Sequence, residues 1–153
     1  MKKILFVCTG NTCRSPMAER LFNDMVCKAG MGSMVCASSA GLAAFDGMKA
    51  TDEAFAVMLA QGIDIRSHHA KQLTKEAVSD ADIILGLTDN HAGTMRRAFA
   101  AHKDKIFSVG EYVGTQLQVQ DPFGQGLDAY VETCTQLQEA FELLIDELKG
   151  AEE

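Results

Sequence analysis

The stretch that decides the fold is ILFVCTGNTCRSPMAERLF, residues 4–22. Ile4–Val7 is an unbroken apolar run of β-type residues. Continuous rather than alternating apolar character marks a strand covered on both faces, as in a parallel sheet. CTGNTCR follows at 8–14. It is a short loop containing Gly10 and Asn11, the residues there best able to take left-handed backbone. Ser15 is expected as the N-cap of a helix and Pro16 as its first residue. Ala18, Leu21, Phe22, Met25, Val26 and Ala29 then keep helical spacing, and Gly30 is the expected stop.

The same alternation continues outward. Met34–Ser39 reads as a strand and Gly41–Gly47 as a loop. Thr51 caps a helix with Phe55, Met58 and Leu59 on one face and Gly62 at its end. Thr74 caps a short helix stopping near Asp80. Ile83–Leu87 is a third strand, a helix spans about 90–100, and a fourth strand lies near Lys105–Val109. The polar, glycine-spaced stretch 110–126 reads as mostly loop. A last helix over 127–148 carries the stripe Tyr130, Thr133, Cys134, Leu137, Phe141, Leu144, Ile145 and Leu148. Strands alternating with helices predict an α/β protein. The expected architecture is a three-layer, doubly wound, flavodoxin-like sandwich on a four-stranded parallel sheet. One domain is expected over 1–150, with 151–153 a frayed tail. Ligands of such sheets bind outside the carboxyl ends of the strands, where CTGNTCR lies.

A chain of 153 residues that is 47% hydrophobic suffices for a core without staples. The net charge of −7 argues against non-specific nucleic-acid binding. MKKILFV has a basic start, but its apolar run is too short for a leader. No stretch approaches the roughly 18 apolar residues of a membrane span. The expectation is a cytoplasmic protein with reduced thiols and neither nucleic-acid nor membrane partners.

The loop pairs a thiol, Cys8, with a guanidinium, Arg14. Between them Thr9, Gly10, Asn11, Thr12 and Cys13 can aim successive backbone N–H groups inward, at the positive end of a helix dipole. Curled round a tetrahedral oxyanion, the loop would set the sulfur beneath phosphorus and let Arg14 clamp two oxygens. Such surroundings favour a thiolate nucleophile, which the Ser15 hydroxyl could stabilise. Cys8 and Cys13 lack zinc-knuckle spacing, and His68, His69, His91 and His102 show no ligand pairing with them, so neither a metal nor another cofactor is expected. The nucleotide-binding pattern G-x-x-x-x-G-K-[ST] is absent. A thiolate attack on phosphorus needs an acid for the leaving group. Asp121 in DPFG, 121–124, is the candidate; it would also activate the hydrolytic water. Phe123 would wall the substrate.

These motifs resemble the low-molecular-weight protein tyrosine phosphatase family along nearly the whole chain. The matching stretches are VCTGNTCRSPMAE, SSAG at 38–41, SHHAKQLT at 67–74, ADIILGLTDNH at 81–91 and DPFG. The resemblance implies metal-independent hydrolysis of phosphate monoesters through phosphocysteine. It makes Cys8 the nucleophile, Arg14 the phosphate clamp and Asp121 the acid and base. Ser15 tunes the thiolate, and Asn11 is strained and held by Ser39 and His68. Asp89 matches a position near the acid loop, and Cys13 a cysteine that could protect oxidised Cys8. Cys27, Cys36 and Cys134 are expected in the core, and His69 on the surface.

Thr12 departs from the aliphatic residue usual in the family's tyrosine phosphatases. CTGNTCR instead looks like the branch acting on protein phosphoarginine. A threonine leaves room at the rim and offers a hydroxyl to a guanidinium. The expected function is therefore phosphoarginine hydrolysis in proteins by a monomeric enzyme, with phosphotyrosine the alternative. A thioredoxin-coupled arsenate reductase would need relay cysteines, and none stands between Cys36 and Cys134.

Overall fold

Four strands, Lys2–Cys8 (β1), Val35–Gly41 (β2), Ile83–Gly86 (β3) and Ile106–Ser108 (β4), form one parallel sheet in the computed structural model, which describes residues 1–152. Their order is β2-β1-β3-β4, so β1 is central and reaches the switch in strand order. Register explains its unbroken apolar run. Ile4, Phe6 and Cys8 enter the core on one face, Leu5 and Val7 that on the other.

Six α-helices surround the sheet among the described residues: Arg14–Lys28 (α1), Asp52–Ala60 (α2, packed on α1 and α6), Lys75–Asp80 (α3), Asp89–Ala98 (α4), Val109–Val113 (α5) and Leu127–Glu152 (α6). On the first face α1 and α6 meet β1 through Phe22, Phe141 and Phe6, with ring centroids 5.2–5.7 Å apart. All three rings are fully buried, and deleting one such ring typically costs about 3–5 kcal/mol. Val78, Ala92 and Met95, from α3 and α4, pack on the other face.

Several elements differ from expectation. Ser15 is not the N-cap: α1 starts at Arg14, and Cys13 caps it without a side-chain bond. The Ser15 hydroxyl is engaged by Asn11 and Cys8 instead. The 110–126 stretch shares α5, whose first turn is closed by a reciprocal Ser108–Glu111 capping box; a five-residue helix has too little periodicity to see in sequence. Leu59 is half exposed, and α2 buries Ala54, Val57 and Met58. Cys27 is exposed and Cys36 half-buried, while Cys134 is buried; the first two lie at element rims. His69 is exposed, as expected. The last helix runs past Leu148 to Glu152, because Gly150 adopts no left-handed conformation to end it. Of the expected tail, residue 153 lies outside the described residues.

The fold delivers three loops to one place. Leu42 N–H bonds to Cys8 O and Ala43 N–H to Thr9 O, both at 2.9 Å, tying the chain after β2 to the first loop. A Cβ on Gly41 would lie 2.5 Å from Thr9 O and 3.1 Å from Asn11 N. Only glycine allows that approach. Val119 N–H reaches Leu87 O (3.0 Å) and anchors the third loop beyond β3.

Candidate active site

Cys8 ends β1, and only 1% of it is exposed. Its Sγ lies 2.8 Å from Ser15 Oγ. The Asn11 amide donates to that same Ser15 oxygen (2.7 Å) and to Ser39 Oγ (3.0 Å). An oxygen already accepting from Asn11 is free to turn its own proton toward sulfur. Ser39 in turn donates to Glu19 Oε1 (2.8 Å). Asn11 is the one non-glycine residue at positive φ, 57°, among the described residues. That conformation costs about 1–2 kcal/mol. It is held by the two amide donations, by Lys71 N–H donating to Oδ1 (2.9 Å) and by His68 Nε2–H donating to the backbone oxygen (2.8 Å). Burial lowers the pKa of His68, against the opposing pull of its hydrogen bond to Asn11 and then of Glu19.

Arg14 is buried, and its guanidinium has two distinct edges. Nη1 donates to Val119 O (3.1 Å). Nη2 lies 3.9 Å from Asp121 Oδ2, and Nε has no partner among the described residues. The Nε and Nη2 edge therefore matches a bidentate oxyanion. Val119 thus sets both Arg14 and, two residues on, Asp121. The Asp121 carboxylate is half exposed and accepts from Phe123 N–H (3.1 Å). The Cys13 thiol lies 3.7 Å away as a donor. Burial, then the neighbouring Cys8 and Asp121, push Cys13 up to about 12, so it is a neutral thiol at physiological pH.

Residues 8–14 floor a cavity of about 310 Å³, with Asp121 and Phe123 on one wall. Thr12 lines it, its carbonyl held by Thr51 N–H (2.9 Å). The other wall is Ala43, Phe45 and Met48; the sequence reading puts the first two in the loop 41–47 and does not assign Met48. Phe45 carried a signal: a large apolar residue in a short loop that neither helix nor strand spacing explains. Phe45 is 77% and Phe123 67% exposed. Ser39 and His68 meet at Asn11 as expected. Asp89 does not join them: it is exposed on the first turn of α4, and its backbone N–H reaches Gln118 Oε1 (2.8 Å).

His91, considered in sequence only as a metal ligand, is buried against Thr9 Oγ1 (3.1 Å). Burial and then Arg14 lower its pKa to about 4. Between about 6.5 and 4 the unfolded chain binds the proton and the native chain does not, so stability falls as pH falls through that window. The urea midpoint should drop more from pH 7 to 4.5 in wild type than in His91→Gln. Parallel drops would contradict the assignment. No group of three or more His, Cys, Asp or Glu among the described residues could hold a metal ion.

A buried thiol and an arginine with one free edge, at the carboxyl end of a central parallel strand, form the arrangement that a cysteine-dependent phosphatase uses. Residues 3–153 match the family model described as low molecular weight phosphotyrosine protein phosphatase, and the chain belongs to that family. It is accordingly a hydrolase acting on phosphate groups of proteins. Among curated relatives it is 40% identical to the protein-arginine-phosphatase of Bacillus subtilis, over 95% of this chain and 96% of that one. It is 34% identical to a probable low molecular weight protein-tyrosine-phosphatase, EpsP, of Ralstonia nicotianae, over 98% of each. Among solved structures, a YwlE mutant from Bacillus subtilis superposes with TM-score 0.92 at 38% identity, covering 97% of this chain and 99% of that one.

Proposed function

We propose that the protein removes phosphate from arginine side chains of other proteins. Cys8 thiolate attacks phosphorus, the P–N bond breaks, and Asp121 gives its proton to the departing nitrogen, which leaves as guanidinium. Asp121 then takes a proton from water as that water attacks phosphocysteine, releasing phosphate and the thiolate. Arg14 and the loop amides hold the equatorial oxygens throughout.

The observation that carries the reading is Thr12 on the cavity lining, where its short side chain leaves room and its hydroxyl can bond a planar guanidinium. The names of two relatives, from Bacillus subtilis and Geobacillus stearothermophilus, support it. Phosphotyrosine is the second reading, favoured by Phe45, Met48 and Phe123, which together would sandwich a phenyl ring. Five free thiols, one of them exposed at Cys27, suit a reducing compartment.

The test is kcat/KM on one peptide phosphorylated on arginine or on tyrosine. The arginine form should be favoured by at least about 10-fold, and Thr12→Ile should collapse the ratio, since misfit of a single group is worth about 1–3 kcal/mol. A ratio below one that the substitution leaves unmoved would assign the protein to phosphotyrosine.

A further inference from the structure

His91 is tied to the anion loop from a neighbouring strand and helix. Gly86 ends β3 where an added Cβ would lie 2.8 Å from Ala92 N and 2.9 Å from His91 Cβ. Without a side chain there, the first turn of α4 closes onto the sheet and carries His91 to Thr9. Thr88 N–H donates to His91 Nδ1 (3.2 Å), and the Thr88 hydroxyl lies 2.9 Å from the same nitrogen. A backbone N–H can only donate, so Nδ1 bears the lone pair and the ring proton sits on Nε2. That Nε2–H donates to Thr9 Oγ1. Thr9 follows the nucleophile directly, and its carbonyl is already held by Ala43. The loop's first residue is therefore fixed from both sides.

We propose that His91 is a positioning residue for phosphoryl transfer, its Nε2–H pinning Thr9 so that the loop amides keep their places around the transferring group. The inference rests on the phosphatase reading of the Cys8 and Arg14 site. Two charged groups face the ring: Arg14 from the start of α1 opposes an imidazolium, and Asp121 from the loop before α6 favours one. Thr9 and Thr88 are uncharged. A proton on Nδ1 would displace the Thr88 N–H and set a cation beside the guanidinium that must hold the substrate. The neutral ring is the working form.

The experiment measures kcat and KM on a phosphopeptide from pH 5 to 8 for wild type, His91→Ala and His91→Gln. Long-range ¹H–¹⁵N NMR of the wild-type ring accompanies it. His91→Ala should lower kcat about 10-fold with KM within about two-fold, the signature of misplaced transition-state contacts. His91→Gln should recover most of that loss, because its amide can still donate to Thr9. The spectrum should report the Nε2–H tautomer. Unchanged kcat in His91→Ala, a folded His91→Gln as slow as His91→Ala, or an Nδ1–H tautomer would each overturn the proposal. A helix cap with no further role would lower Tm in both variants and leave kcat alone, which also overturns it. Wild type inactive on phosphoarginine and phosphotyrosine alike would sink the functional reading with it. An active wild type indifferent to His91→Ala sinks only this inference.

Discussion

Cys8→Ser is expected to abolish turnover, by at least about 10⁴-fold, while phosphate and phosphopeptide still bind. A serine hydroxyl is a far poorer nucleophile than a thiolate, and Ser15, 2.8 Å from the Cys8 sulfur, would meet another hydroxyl instead of sulfur. Nothing else in the cradle changes. Asn11 stays in its left-handed conformation, because its bonds run to Ser15, Ser39, His68 and Lys71. Arg14 stays tethered to Val119. Calorimetric titration with vanadate or phosphate should give a Kd within a few-fold of wild type, beside a phosphate-release assay that reads nothing. Turnover persisting above about one per cent of wild type would remove Cys8 as nucleophile, whatever the binding.

Asp121→Asn is expected to cost about 10²–10⁴ in kcat, with the larger loss on poorer leaving groups. The substitution keeps the loop. Asparagine Oδ1 can still accept from Phe123 N–H, as the carboxylate does at 3.1 Å, and the Val119 anchor is untouched. What disappears is the transferable proton. An activated aryl phosphate leaves with little help and should be hit least in its first step, whereas phosphoarginine and phosphotyrosine need the acid. Hydrolysis of phosphocysteine slows for every substrate, so single-turnover release of the leaving group must be measured separately from phosphate release. An equal first-step loss for aryl phosphate and phosphoarginine would place the role of Asp121 elsewhere.

The opening strand and its loop were legible because their pattern is local. Ile4–Val7 must face apolar surroundings on both sides, and seven residues with a thiol at one end and a guanidinium at the other restrict what the loop can hold. Thr51 and Thr74 as helix caps were likewise readable, since each bonds an amide three residues on. Ser15 shows the limit of that reasoning. By spacing it looks like a cap, but the curl of the preceding loop brings Cys8 and Asn11 to its hydroxyl, and α1 begins two residues earlier than expected.

The chain alone therefore determined the α/β class, and it put forward Cys8, Arg14 and Asp121 as candidates for one site. Hydrophobic periodicity and side-chain type act over a few residues. Tertiary structure alone decided the rest. Ser39 and His68 stand 28 and 57 residues from Asn11 yet share its hydrogen bonds; Asp89, beside the acid loop by resemblance, stays outside them. Phe45 and Met48 become a pocket wall because the chain after β2 is tied to Cys8 and Thr9. His91 turns from an unpaired histidine into a pin on the loop because Gly86 leaves room for α4. Such contacts depend on the order in which strands lie side by side, and that order follows from burying both faces of the sheet at once, which no window of sequence contains.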